Sequence, residues 1–200
     1  MKTKYMLLLS SLLSLTACKK DVAITNPNLP TIKATQIAIP NGDFENWDWE
    51  LCPVNWYTNG CALCVGAQWD EYVVKKDSQT VYHGTYSALF IYNYNFMAYA
   101  KIKFGLITHP TILQGYVKSY LYNPDTISIS IKLLKNKRVV DSGYWQSTTP
   151  IVNFTQINIP ITTAATLIDT ALITIKGGKN IAPNNFNSTS LWVDDLSFFK

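Results

Sequence analysis

Thr126-Ile127-Ser128-Ile129-Ser130-Ile131-Lys132-Leu133 alternates apolar and polar residues without a break. Successive side chains of an extended strand point to opposite faces. Ile127, Ile129, Ile131 and Leu133 therefore line one face, with Ser128, Ser130 and Lys132 on the other. The pattern predicts a strand with one side in a core and one in water. Upstream, Gly115-Tyr116-Val117-Lys118-Ser119-Tyr120-Leu121-Tyr122 puts Val117 and Leu121 on one parity and Tyr116, Lys118, Tyr120 and Tyr122 on the other. Asn123-Pro124-Asp125 between them is turn chemistry and predicts that the two strands form an antiparallel hairpin.

Outward from this pair, β-branched and aromatic residues predict strands over 87–93, 98–104, 153–159, 167–175 and 191–199. Helical spacing is absent beyond the first residues, and no internal repeat is apparent. Strands of this length, punctuated by Gly, Pro and Asn, predict an all-β fold: an antiparallel β-sandwich of the jelly-roll kind over residues 38–200. Residues 18–37, with two prolines and no sustained period, predict a flexible tether.

The first seventeen residues have the grammar of an export signal. Lys2 and Lys4 precede a short apolar run, Tyr5 to Leu15, too short to span a bilayer as a helix of roughly 20 residues. Leu15-Thr16-Ala17-Cys18 resembles the lipobox of bacterial lipoproteins. That resemblance implies cleavage before Cys18, acylation of its thiol and a membrane anchor. Lys19-Lys20-Asp21 after it is a partial match to the charged signals of surface-displayed Bacteroidetes lipoproteins, which implies an outer-membrane lipoprotein facing outward rather than a periplasmic one.

The full chain carries 17 Lys and Arg against 13 Asp and Glu, a net charge of +4. Removing Lys2 and Lys4 leaves +2. A charge that small, with Arg138 as the single arginine, gives no argument for nucleic-acid binding.

Cys52, Cys61 and Cys64 remain after Cys18, an odd number in an oxidising compartment, so at most one internal bridge forms. Cys52 with Cys61 or with Cys64 is the expected pairing, because a bridge within Cys61-Ala62-Leu63-Cys64 closes a tighter loop. The same CxxC lacks the helix N-terminus that would make it a redox pair. His83 and His109, the two histidines, do not complete a zinc site.

Three motifs carry a family resemblance. Ile39-Pro40-Asn41-Gly42-Asp43-Phe44-Glu45-Asn46-Trp47, then Pro53-Val54-Asn55-Trp56, resembles the opening of carbohydrate-binding-module-like jelly rolls. Tyr82-His83-Gly84-Thr85-Tyr86-Ser87-Ala88-Leu89 is similar to a strand that follows in them, and Ser190-Leu191-Trp192-Val193-Asp194-Asp195-Leu196-Ser197-Phe198 to their last strand. Together they span about residues 39–199 and point to the galactose-binding-like jelly-roll lipoproteins of Bacteroidetes. The resemblance implies a structural calcium ion held by Glu45 and Asp194 or Asp195, with Asp43 as a further oxygen donor, and a core role for Trp56. Otherwise the adjacent Asp194 and Asp195 simply cap a strand.

A sugar site combines an aromatic plate with polar hydrogen-bonding groups, and the chain has six tryptophans and twelve tyrosines. Tyr116, Tyr120 and Tyr122 on one strand face are a first candidate plate, with Tyr92 extending it. Equally, that face packs on a loop or on the second sheet. The segment 47–72 is a second candidate, offering Trp49 and Trp69. Glycoside hydrolysis needs two carboxylates about 5–10 Å apart, and the adjacent pairs at 70–71 and 194–195 point to opposite faces of a strand. No nucleophile or metalloprotease motif is present. The expectation is a non-catalytic, membrane-anchored glycan-binding module. A surface protein binding a protein partner, or an accessory subunit of a polysaccharide-degrading system, are the alternatives.

Overall fold

A computed structural model describes residues 35–60, 73–92, 97–122, 125–161, 167–178 and 189–200. Among them are eleven strands: β1 (Gln36–Ala38), β2 (Tyr57–Thr58), β3 (Val74–Asp77), β4 (Ser87–Tyr92), β5 (Tyr99–Gly105), β6 (Ile112–Tyr120), β7 (Ile127–Lys135), β8 (Arg138–Ser147), β9 (Ile151–Pro160), β10 (Thr170–Lys176) and β11 (Thr189–Phe199). They form two antiparallel sheets. The first runs β3-β4-β11-β6-β9, with β1 beside the far half of β11; the second runs β2-β5-β10-β7-β8. The expected β-sandwich is present.

The parity of 126–133 holds through the fold. Ile127, Ile129, Ile131 and Leu133 have no solvent exposure, and across the sandwich Val117, Leu113 and Leu191 have none either. Burying each such side chain contributes roughly 1.5–3 kcal/mol. The expected hairpin does not form. β6 pairs with β11 and β9, whereas β7 pairs with β10 and β8 in the other sheet. Crossing between sheets lets the apolar faces of β6 and β7 meet one another through the core, which pairing side by side would not do. The true hairpin is β7–β8, a strand that sequence reading passed over. Asn136 and Lys137 both have positive φ (50° and 66°), the twist a two-residue hairpin turn requires.

The first motif is a corner. Phe44 is fully buried and packs on Trp56 at 5.1 Å between ring centroids. The Trp56 indole donates to the Asn41 carbonyl at 3.1 Å. The Asn41 side chain donates to the carbonyls of Asn46 and Val54 and accepts from the Asn46 N–H. Gly42 is needed because a Cβ there would stand 2.3 Å from the Leu196 carbonyl oxygen. Its own carbonyl accepts the Leu196 N–H. In this way the first and last segments of the domain are stitched together.

Candidate ligand-binding faces

Two carboxylates hold the turn that enters β4. Glu45 Oε1 accepts the N–H groups of Thr85 and Tyr86 at 2.8 and 3.0 Å. Asp194 Oδ2 accepts those of Tyr82 and His83 at 3.0 and 3.2 Å. Asp194 lies at a register shift in β11, beside Asp195 with φ 54°, and is buried. Burial raises its carboxyl to about 6 despite the N–H groups that favour the anion. Its Oδ1 is buried with no hydrogen-bond partner. Asp43 is exposed and accepts the Glu45 N–H at 3.5 Å. Among the described residues no group of three or more His, Cys, Asp or Glu gathers around one point. Glu45 Oε1 and Asp194 Oδ2 are occupied by N–H donors, and the buried Asp194 Oδ1 is one oxygen of the roughly six to eight that calcium takes.

The outer face of the first sheet carries the tyrosines singled out in β6. Tyr116 is stacked under Tyr82, with ring centroids 3.5 Å apart and planes 13° apart, and Tyr82 leans on Phe154 at 5.9 Å. The Tyr82 phenol is pushed up from its usual value, first by its hydrogen bond with Tyr116 and then by desolvation. Lys118 lies over the Trp192 ring at 5.4 Å, and the Trp192 indole donates to Asp77 at 2.7 Å. These aromatics are partnered within the chain, leaving Tyr120 as the exposed ring of the row. Tyr122 follows the end of β6, and its N–H donates to Thr189 Oγ1. The Tyr92 backbone pairs with Thr189; its side chain lies outside the described residues.

Trp49 is 79% exposed. It rides on a turn closed by Asp48, whose Oδ1 accepts the N–H groups of Glu50 and Cys52 at 2.9 and 2.8 Å. Trp47 packs against the core beneath it. Cys52 is not a free thiol. Cys18, Cys61, Cys64 and Trp69 lie outside the described residues.

The outer face of the second sheet holds a constellation that sequence reading missed. Tyr57, Lys101, Thr174, Ser130 and Tyr144 are consecutive partners across β2, β5, β10, β7 and β8. At about 4.8 Å between strands the row spans about 19 Å. Its ends are the exposed rings of Tyr57 and Tyr144, and its middle is two short hydroxyl residues. With a ring at each end, Lys101 beside Tyr57 and two short side chains next to it, the row is read as a shallow trough. A second row runs Tyr99, Lys176, Ser128, Gln146. Tyr144 Oη donates to Gln146 Oε1 at 3.0 Å, and Lys101 Nζ sits 4.5 Å from the Tyr57 ring centre. The Tyr57 and Tyr99 rings lie 6.1 Å apart. The Tyr99 phenol is raised by desolvation and then by its hydrogen bond with Tyr57. Adjacency in sequence gives no sign of this row, because its five residues come from five strands.

No family model matches this chain, and no curated protein matches it. Solved structures do. A candidate glycoside hydrolase from Bacteroides thetaiotaomicron is 11% identical with a TM-score of 0.46, over 66% of this chain; this chain spans 58% of that one. A family 61 carbohydrate-binding module in complex with β-1,4-galactotriose is 13% identical with a TM-score of 0.49, covering 81% of this chain and 97% of the module. The family 11 module of a Clostridium thermocellum cellulosomal cellulase is 16% identical with a TM-score of 0.45, over 83% and 95%. At such values these likenesses carry no ligand or activity to this chain, and its sandwich stands on its own strand pairing.

Proposed function

We propose that this protein is a non-catalytic glycan-binding module, anchored by lipid on Cys18 at the outer membrane and facing outward, with its sugar lying across the outer face of the second sheet. The observation that carries this reading is the row from Tyr57 to Tyr144. The flat C–H faces of a sugar ring stack on exposed phenol rings, and its hydroxyls meet Thr174, Ser130 and Gln146 along the floor. A glycan-array screen of the full chain, repeated with Tyr57→Ala and Tyr144→Ala, tests it. Loss of the bound glycans in both variants is expected; binding that survives both sinks the reading.

Calcium is a separate proposal. Asp194 would hold it through Oδ1, with Asp195 beside it, and the ion would compensate a buried negative charge in a structural role. A protein partner is the alternative occupant of the surface, favoured by the exposed Val152 on edge strand β9 and by Tyr120 on the first sheet.

A further inference from the structure

We propose that the ligand of this trough is an acidic polysaccharide, a chain bearing carboxylate or sulfate groups, an inference that rests on the sheet-face reading above. Four lysines stand exposed on this one face: Lys101 and Lys103 of β5, Lys132 of β7 and Lys176 of β10. Register places them in three rows. Lys176 joins the row of Tyr99, Lys101 that of Tyr57, and Lys103 and Lys132 flank Leu172 in the third. Rows two residues apart are separated by about 7 Å, so the positive charges are spread over an area much larger than one small anion.

Among the described residues, no Asp or Glu occupies an outward position on these five strands. Asp141 of β8 faces inward and lies 3.3 Å from His109 Nε2. The nearest carboxylate on the rim, Asp169 just before β10, pairs with Lys135 at 3.8 Å and is held below its usual range by hydrogen bonds from the Asn136 N–H and Thr170, with smaller help from Lys135 and Lys103. Among the described residues the lysine–carboxylate pair of this sheet is Lys135–Asp169, at its edge and not within the three rows. Lysine is a compact, strongly hydrated point charge on a flexible stem. Several of them over a floor of serine and threonine suit a polymer that repeats one negative charge among many hydroxyls. Bases that stack on the same rings are disfavoured, because the chain's single arginine, Arg138, stands at the end of β8 opposite Lys135 and outside these three rows.

The test is titration of the full chain with five probes: polygalacturonate, its fully methyl-esterified form, a sulfated galactan, a neutral galactan and an oligothymidylate. Polygalacturonate or the sulfated galactan is expected to bind at least about tenfold more tightly than its uncharged counterpart, the ratio set by about 1.4 kcal/mol. The preference should shrink as salt rises from about 0.02 M to about 0.5 M, where screening is short-ranged. The double variant Lys101→Ala, Lys132→Ala should lose the preference while keeping its circular dichroism spectrum. Which charged probe binds better tells carboxylate from sulfate. Glycan binding with no preference for either charged probe over its uncharged counterpart overturns the acidic ligand and leaves the sheet-face reading standing. Binding of no glycan overturns both, and tightest binding of oligothymidylate overturns both in favour of nucleic acid.

Discussion

Glu45 Oε1 occupies the space in which any residue other than glycine at position 84 would place its Cβ; the two would be 2.2 Å apart. Gly84 also has φ +75°, a conformation that other residues adopt at a cost of about 1–2 kcal/mol. The carboxylate can therefore close on the turn and accept two N–H groups. Gly84→Ala is expected to lower stability in urea by about 2 kcal/mol or more. Glu45→Ala, which leaves the Thr85 and Tyr86 N–H groups without that acceptor, should cost about 1.5–3 kcal/mol. A Gly84→Ala protein as stable as the parent would contradict this reading of the motif.

Asp194 sets a pH dependence. Its folded-state value of about 6 lies above the ordinary 3.8, because burial disfavours the anion. A raised value means that the folded state holds its proton more tightly than the unfolded chain. The resulting stability is complete below about pH 4 and is lost as pH rises through about 6. In chelator, the parent should lose on the order of 2 kcal/mol relative to Asp194→Asn across that window. Asparagine keeps an oxygen for the Tyr82 and His83 N–H groups without the charge. If calcium is bound, adding it at pH 7 raises the melting temperature of the parent and not of Asp194→Asn. An unchanged parent removes the calcium proposal.

Tyr82→Ala separates the two sheet faces. The stacked pair Tyr82–Tyr116 is a packing contact of the first sheet, so its loss should lower stability by about 1 kcal/mol. Glycan affinity, which the proposal assigns to the second sheet, should be unchanged in the same titration. A variant of parental stability that no longer binds sugar would move the site to the first sheet.

Much of the fold was legible because it is local. Alternation in 126–133 gave four buried positions correctly, and the resemblance carried by 39–56 implied a core role for Trp56, which is buried against Phe44. The hairpin between β6 and β7 was misread because turn chemistry says where a chain reverses, not which sheet it enters. β8 was overlooked because Asp141 and Gly143 break its apolar pattern, although Asp141 is buried beside His109. The trough was invisible for a different reason. Tyr57, Lys101, Thr174, Ser130 and Tyr144 meet only through the register of five strands, whereas the tyrosines of β6 stood out by lying together in sequence.

One internal bridge is expected, from Cys52 to Cys61 or to Cys64. Peptide mapping of the non-reduced protein should give a single cross-linked peptide containing residue 52 and one free thiol. Recovery of the 61–64 pair with Cys52 free would contradict the staple.

The most direct measurement is the affinity of the Tyr57→Ala, Tyr144→Ala double variant for whichever glycan the parent binds, read by calorimetry. Both rings are more than half exposed, so their removal should leave the fold intact while the affinity falls by about tenfold or more, as loss of two stacking contacts of about 0.5–1.5 kcal/mol each requires. An unchanged affinity in a folded double variant would contradict the trough as the sugar site.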